Sequence, residues 1–102
     1  MSITMRIIQR YGTTKEEEFL RIERMFADLE QNRPDFPKGK RMLPIAANEP
    51  CNTLIWEHEF PDIQSAYDML EFLNDDKEHK ILYEQQAPFF EKVKIEFYKN
   101  FK

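Results

Sequence analysis

Glu57, His58 and Glu59 stand in a row, and His79 lies four residues before Tyr83. Two carboxylates around an imidazole are the residue types of a metal centre or an acid–base pair, and a histidine beside a phenol can exchange a proton with a bound molecule. The element that carries them decides which chemistry is open. The stretch LIWEHEFPD, 54 to 62, alternates as a strand, so Glu57 and Glu59 share one face while His58 joins Trp56 and Phe60 on the other. Three such side chains cannot converge on one ion without a bulge, and no metal is expected. Repulsion between Glu57 and Glu59 would raise one pKa, but Arg6 or Arg10 on a neighbouring strand should neutralise them in an ion-pair network. His58 is expected to pack and to bond a backbone carbonyl or a helix residue. His79 has two readings: an exposed histidine within KEHK on a helix surface, or a proton-transfer group one helical turn from Tyr83.

The elements that position these residues follow from periodicity. ITMRIIQRY, 3 to 11, alternates as a first strand with Ile3, Met5, Ile7 and Tyr11 on one face and Thr4, Arg6 and Arg10 on the other. After Gly12, Phe19, Ile22, Phe26 and Leu29 recur at helical spacing. Thr14 and Glu17 match a capping box, which places the helix start near Thr14, with acidic residues 16 to 18 at the favourable end of the dipole. NRPDFPKGK, 32 to 40, reads as a loop. A second strand is expected from about 41 to 47, at a sheet edge, because Pro44 cannot donate to a ladder.

NEPCN turns into a third strand, Thr53 to Phe60. Asp62 then caps a helix carrying Ile63, Ala66, Leu70 and Leu73. Asn74, Asp75 and Asp76 interrupt it, the helical pattern resumes through His79, Leu82 and Tyr83, and Pro88 marks a kink or a first-turn position. VKIEFYKNF, 93 to 101, is the fourth strand. The order is β-α-β-β-α-β: an α+β, ferredoxin-like antiparallel sheet with two helices on one face. The other face would carry Arg6, Arg10, Glu57, Glu59, Lys94, Glu96 and Tyr98.

One hundred and two residues suit one domain, 1 to 102. A net charge of -4, with Lys and Arg interleaved with Asp and Glu, speaks against nucleic acid as a partner. No apolar run approaches the roughly 20 residues that cross a bilayer, and MSITMRIIQR lacks the apolar core of a signal peptide. The single cysteine, Cys51, has no CxxC neighbour. Together these predict a cytoplasmic protein with no membrane partner.

GTTKEEEFLRIERMF after the first strand resembles the entry to helix one in the dimeric α/β barrel superfamily. SAYDMLEFLNDDKEHKILYEQQAPFFEKV is similar to the same superfamily's second helix, with its acidic break, histidine-containing turn and proline before the last strand. The resemblance implies a homodimer in which two sheets pack face to face about a twofold axis, their outer faces lining a lumen. Members include antibiotic-biosynthesis-type and quinol monooxygenases working without metal or flavin, haem-degrading enzymes, NIPSNAP proteins and EthD-like proteins, so the fold does not select a function.

Haem-degrading relatives use a first-strand asparagine and a helix-two tryptophan. Gln9 stands where the asparagine would fall and the only tryptophan is on strand three, so that activity is not expected. The resemblance leaves a cofactor-independent, monooxygenase-like enzyme or a binder of a small aromatic or hydrophobic molecule. Its catalytic candidates are His79 and Tyr83, and its ligand-binding candidates are Arg6, Arg10, Glu57, Glu59, Tyr98, Trp56 and His58, with Tyr11 as a further wall. The rival is a non-catalytic structural or interaction protein whose charged sheet face serves only dimerisation. A cavity beside His79 or beside the Arg6 and Glu57 face would favour the ligand reading.

Overall fold

The computed structural model describes residues 2–101. Four strands form one antiparallel sheet: β1 (Ile3–Tyr11), β2 (Lys40–Met42), β3 (Thr53–Phe60) and β4 (Phe90–Lys99), in the order β2-β3-β1-β4. Three helices accompany them: α1 (Glu16–Asn32), α2 (Ile63–Asp75) and α3 (Lys77–Gln86). This is the expected ferredoxin-like α+β arrangement, with β1 and β3 central.

The second helical region is two helices because Asp76 stands in extended backbone and serves both of them. Its N–H closes α2 on the Phe72 carbonyl at 3.0 Å, and its carboxylate accepts the His79 N–H at 3.0 Å to cap α3. Asp62 caps α2 in the same way, accepting from Ser65 N–H at 2.8 Å.

Three boundaries differ from the sequence expectation. The capping box at Thr14 does not form: Thr13–Lys15 is a 3-10 turn, α1 begins at Glu16, and no side chain caps it. At this helix start Glu16 accepts a hydrogen bond from the Tyr11 hydroxyl at 2.7 Å. β2 is three residues long rather than about seven. It stops two residues before Pro44, which has no N–H for the ladder, and residues 43–52 leave the strand. An ion pair of 2.8 Å joins Glu49 to Lys94 on β4, at the far edge from β2, so this segment spans the outer sheet face and covers part of it. β4 starts at Phe90, three residues early, and ends before Phe101.

Register fixes the faces. Met5 pairs with His58, Ile7 with Trp56 and Gln9 with Leu54, and on β4 the partners of these three are Phe97, Ile95 and Val93. This is the helix-facing side. Its core is in two parts: Met5, Trp56, Phe60 and Ala66 at one end of β1, and Tyr11, Phe19 and Leu54 at the other. Ile7 and Gln9 lie between them.

Candidate functional site

The gap between the two core clusters is a half-open cavity of about 740 Å³, floored by the sheet and roofed by the helices. Ile7, Trp56, Phe90, Val93 and Ile95 line it from the sheet, Phe26 from α1, Leu70 and Leu73 from α2, and His79 and Tyr83 from α3. Val93 and Ile95 remain 45% and 42% exposed because no helix covers β4 there, which leaves the cavity open toward that edge.

One wall is polar and buried. Glu23 and Glu30 are seven residues apart on α1, hence on one helical face, and are 5% and 8% exposed. Arg41, on the short β2, reaches both. Its Nε donates to Glu23 Oε2 at 2.6 Å, and its Nη2 and Nη1 fork onto Glu30 at 2.5 and 3.1 Å. Glu30 also accepts from Gly39 N–H at 3.0 Å and from Trp56 Nε1 at 3.3 Å. Gln86, 2% exposed, donates to Glu23 Oε1 at 2.9 Å. Burial works to lower the Arg41 pKa, but its hydrogen bond to Glu30 and the charges of Glu23 and Glu30 outweigh it, so the guanidinium stays charged. Two carboxylates against one cation leave this wall with a net negative charge.

The loop of residues 33–39 positions the wall. Lys38 Nζ bonds the main-chain carbonyls of Glu30, Arg33 and Phe36, closing the C-terminal end of α1. Phe36 and Pro37 then pack over the cavity. Arg33 binds Asp76 at 2.8 Å, which ties the end of α1 to the start of α3 and so to His79.

His79 is a cavity residue rather than an exposed one. Its ring lies 5.0 Å from that of Phe26 and 6.4 Å from that of Phe36, and among the described residues its imidazole makes no hydrogen bond. Burial lowers its pKa below the ordinary value, against the opposing pull of Asp76 and Glu30, so the ring is neutral at pH 7 and able to accept a proton.

The remaining candidates divide by face. Trp56 lines the cavity. His58 packs between Trp56 and Phe60, and its Nδ1 bonds the Lys38 carbonyl at 2.8 Å. Tyr11 is fully buried in the core, its phenol held protonated by burial and by Glu16. Arg6, Arg10, Glu57, Glu59 and Tyr98 lie on the opposite sheet face, away from the cavity. There Arg6 pairs with Glu57 at 2.7 Å and sits over the Tyr98 ring at 5.1 Å. Arg10 is directed not to these glutamates but to Glu91, at 3.6 Å, because register sets it opposite Thr53. Among the described residues, no group of three or more His, Cys, Asp or Glu is arranged to hold a metal ion.

Sequence reasoning passed over Glu23, Glu30, Arg41 and Gln86. The available signal was two glutamates four residues beyond Phe19 and Phe26, inside the apolar sector of α1.

The class that the structure defines is the ferredoxin-like α+β fold, here with a half-open cavity between the sheet and its helices. The solved structures that resemble it agree. A NIPSNAP family protein from Agrobacterium tumefaciens superposes with a TM-score of 0.79 at 12% identity, covering 97% of this chain and 92% of that one. A NIPSNAP-like domain protein from Burkholderia xenovorans gives 0.80 at 14%, over 98% and 85%. A putative antibiotic biosynthesis monooxygenase from Nitrosomonas europaea gives 0.69 at 12%, over 97% and 89%. No family model and no curated protein matches the chain. Among the described residues no helix is long and apolar enough to cross a membrane.

Proposed function

We propose that this protein binds a small aromatic or otherwise hydrophobic molecule in the cavity between its sheet and helices. The observation that carries the reading is the cavity itself: about 740 Å³, apolar on most sides, with a buried polar wall and a neutral histidine. Ligand sites have this size and this composition of apolar walls with a few placed polar groups. The homodimer belongs to the reading as the arrangement that the sequence resemblance implies, and the charged outer sheet face would be the surface for it.

The sharper version is a cofactor-independent monooxygenase-like activity, suggested by the name of the Nitrosomonas europaea neighbour. His79 would take a proton from an activated ring methylene, and the resulting anion would react with dioxygen. One oxygen atom would remain as a ring carbonyl and the other leave as water. Anthrone, a tricyclic ketone with such a methylene and an enol tautomer that carries a hydroxyl donor, is a suitable probe. Oxygen consumption above the spontaneous rate, lost in His79→Ala while the melting temperature is held, supports catalysis. Unchanged turnover in that variant excludes His79. Binding of 2-naphthol by calorimetry, abolished when Ile95→Trp fills the cavity, supports the binding reading alone. If neither anthrone, 2-naphthol nor its cationic analogue 2-naphthylmethylamine binds, the non-catalytic structural reading replaces it.

A further inference from the structure

Arginine in an apolar pocket ordinarily suggests an anionic ligand, because its guanidinium matches a carboxylate. Here that match is already made from within the chain. Arg41 donates through Nε to Glu23 and through both terminal nitrogens to Glu30, and its side chain is only 19% exposed. Its single positive charge is more than neutralised by two carboxylates whose side chains are 7% and 10% exposed. Lining residues toward the solvent add Asp75 and Glu84 against Lys80, again with an excess of negative charge.

The two carboxylates are not equally engaged. Glu30 accepts from Gly39, from two nitrogens of Arg41 and from the Trp56 indole, which fills both its oxygens. Glu23 receives one donor on each oxygen, Arg41 on one and Gln86 on the other. A carboxylate oxygen carries two lone pairs, so Glu23 retains acceptor capacity at the cavity wall. His79, on the same cavity, has an imidazole that makes no hydrogen bond among the described residues.

We infer that the cavity takes a molecule whose polar end is an uncharged or cationic hydrogen-bond donor, a hydroxyl or a protonated amine directed to Glu23, and turns away carboxylates of the same shape. This rests on the ligand-binding reading above and deepens it. An anion entering here would lose its hydration and meet a wall with an excess of negative charge, whereas a donor gains a charge-assisted hydrogen bond.

Three naphthalenes of nearly equal shape test it by calorimetry at pH 7: 2-naphthol, 2-naphthylmethylamine as its ammonium, and 2-naphthoate. The expected result is that the neutral and cationic probes bind at least about tenfold tighter than naphthoate. In Glu23→Gln, whose wall is left with one carboxylate against Arg41, the gap closes to within about threefold. Circular dichroism melting establishes that the variant folds. Should it not fold, Glu84→Gln at the mouth serves instead, and is expected to narrow the gap in the same sense. Naphthoate binding as tightly as the ammonium overturns the inference and leaves the binding reading standing. Failure of all three probes to bind overturns both.

Discussion

The main chain at Gly39 lies against the indole of Trp56. A Cβ on Gly39 would fall 1.7 Å from Nε1 and 2.0 Å from Cε2 of that ring. The close approach is what lets Glu30 accept both the Gly39 N–H and the Trp56 N–H. Gly39→Ala must displace a buried ring that forms part of the cavity wall. Overpacking of this kind costs about 1–3 kcal/mol. Urea unfolding should show that loss together with a shifted Trp56 emission, and a wild-type midpoint would mean that the ring moves aside freely.

Arg41→Met leaves Glu23 and Glu30 buried without their counter-ion. Loss of one partner from a buried ion pair costs about 3–5 kcal/mol, more than the pair's own net contribution, because the charge left behind is unsolvated. Replacing both glutamates by Gln in the same chain removes that charge. The triple variant is therefore expected to regain most of the stability lost by Arg41→Met, as read by denaturant midpoint. No recovery would show that Arg41 acts through packing alone.

His79 gives stability a pH dependence. Its folded pKa is lowered by burial, so between that value and the unfolded value near 6.5 the unfolded chain binds more protons than the folded one. Its contribution is fully present above pH 6.5 and is lost as pH falls through the folded value. His79→Gln should flatten the fall in denaturation midpoint between pH 7.5 and pH 5.5. An unaltered slope would assign it to other groups.

Asp76 couples the helix ends to the site, since it caps α3 at the His79 N–H and holds Arg33. Asp76→Ala should cost about 1 kcal/mol through the cap alone. Asp76→Asn keeps a capping oxygen and loses the charge, so its melting temperature should fall between those of the wild type and the alanine variant. Equal melting of the Asn and Ala variants would place the whole effect in the Arg33 ion pair.

Sedimentation equilibrium at micromolar concentration should report a dimer. Arg6→Glu would set a carboxylate beside Glu57 on the outer sheet face, where Arg6 now pairs at 2.7 Å, and should weaken association. A wild-type monomer at that concentration would remove the paired-sheet arrangement.

Alternation and helical spacing are local properties, and they placed most of the fold. Thr53–Phe60 carries its period-two pattern from end to end, Asp62 announces the helix start it caps, and Asn74 to Asp76 mark the break between α2 and α3. β2 lies at the sheet edge as expected, although Pro44, on which that expectation rested, falls outside the strand. The same alternation separates Trp56 and His58 from Glu57 and Glu59, which removes the cluster that their spelling suggests. Contacts made with other elements were not local. Tyr11 on β1 holds the Glu16 carboxylate at the start of α1, and residues 43–52 leave β2 to span the sheet.

The cavity belongs to this second kind. Its Glu23, Arg41 and Gln86 come from α1, β2 and α3, and nothing in their sequence separation brings them together; only the docking of α1 and α3 over the sheet does. His79 illustrates the division. The sequence placed it on a helix one turn from Tyr83, with exposure and burial both open. Packing against Phe26 and Phe36 decided for partial burial, and with it the neutral imidazole.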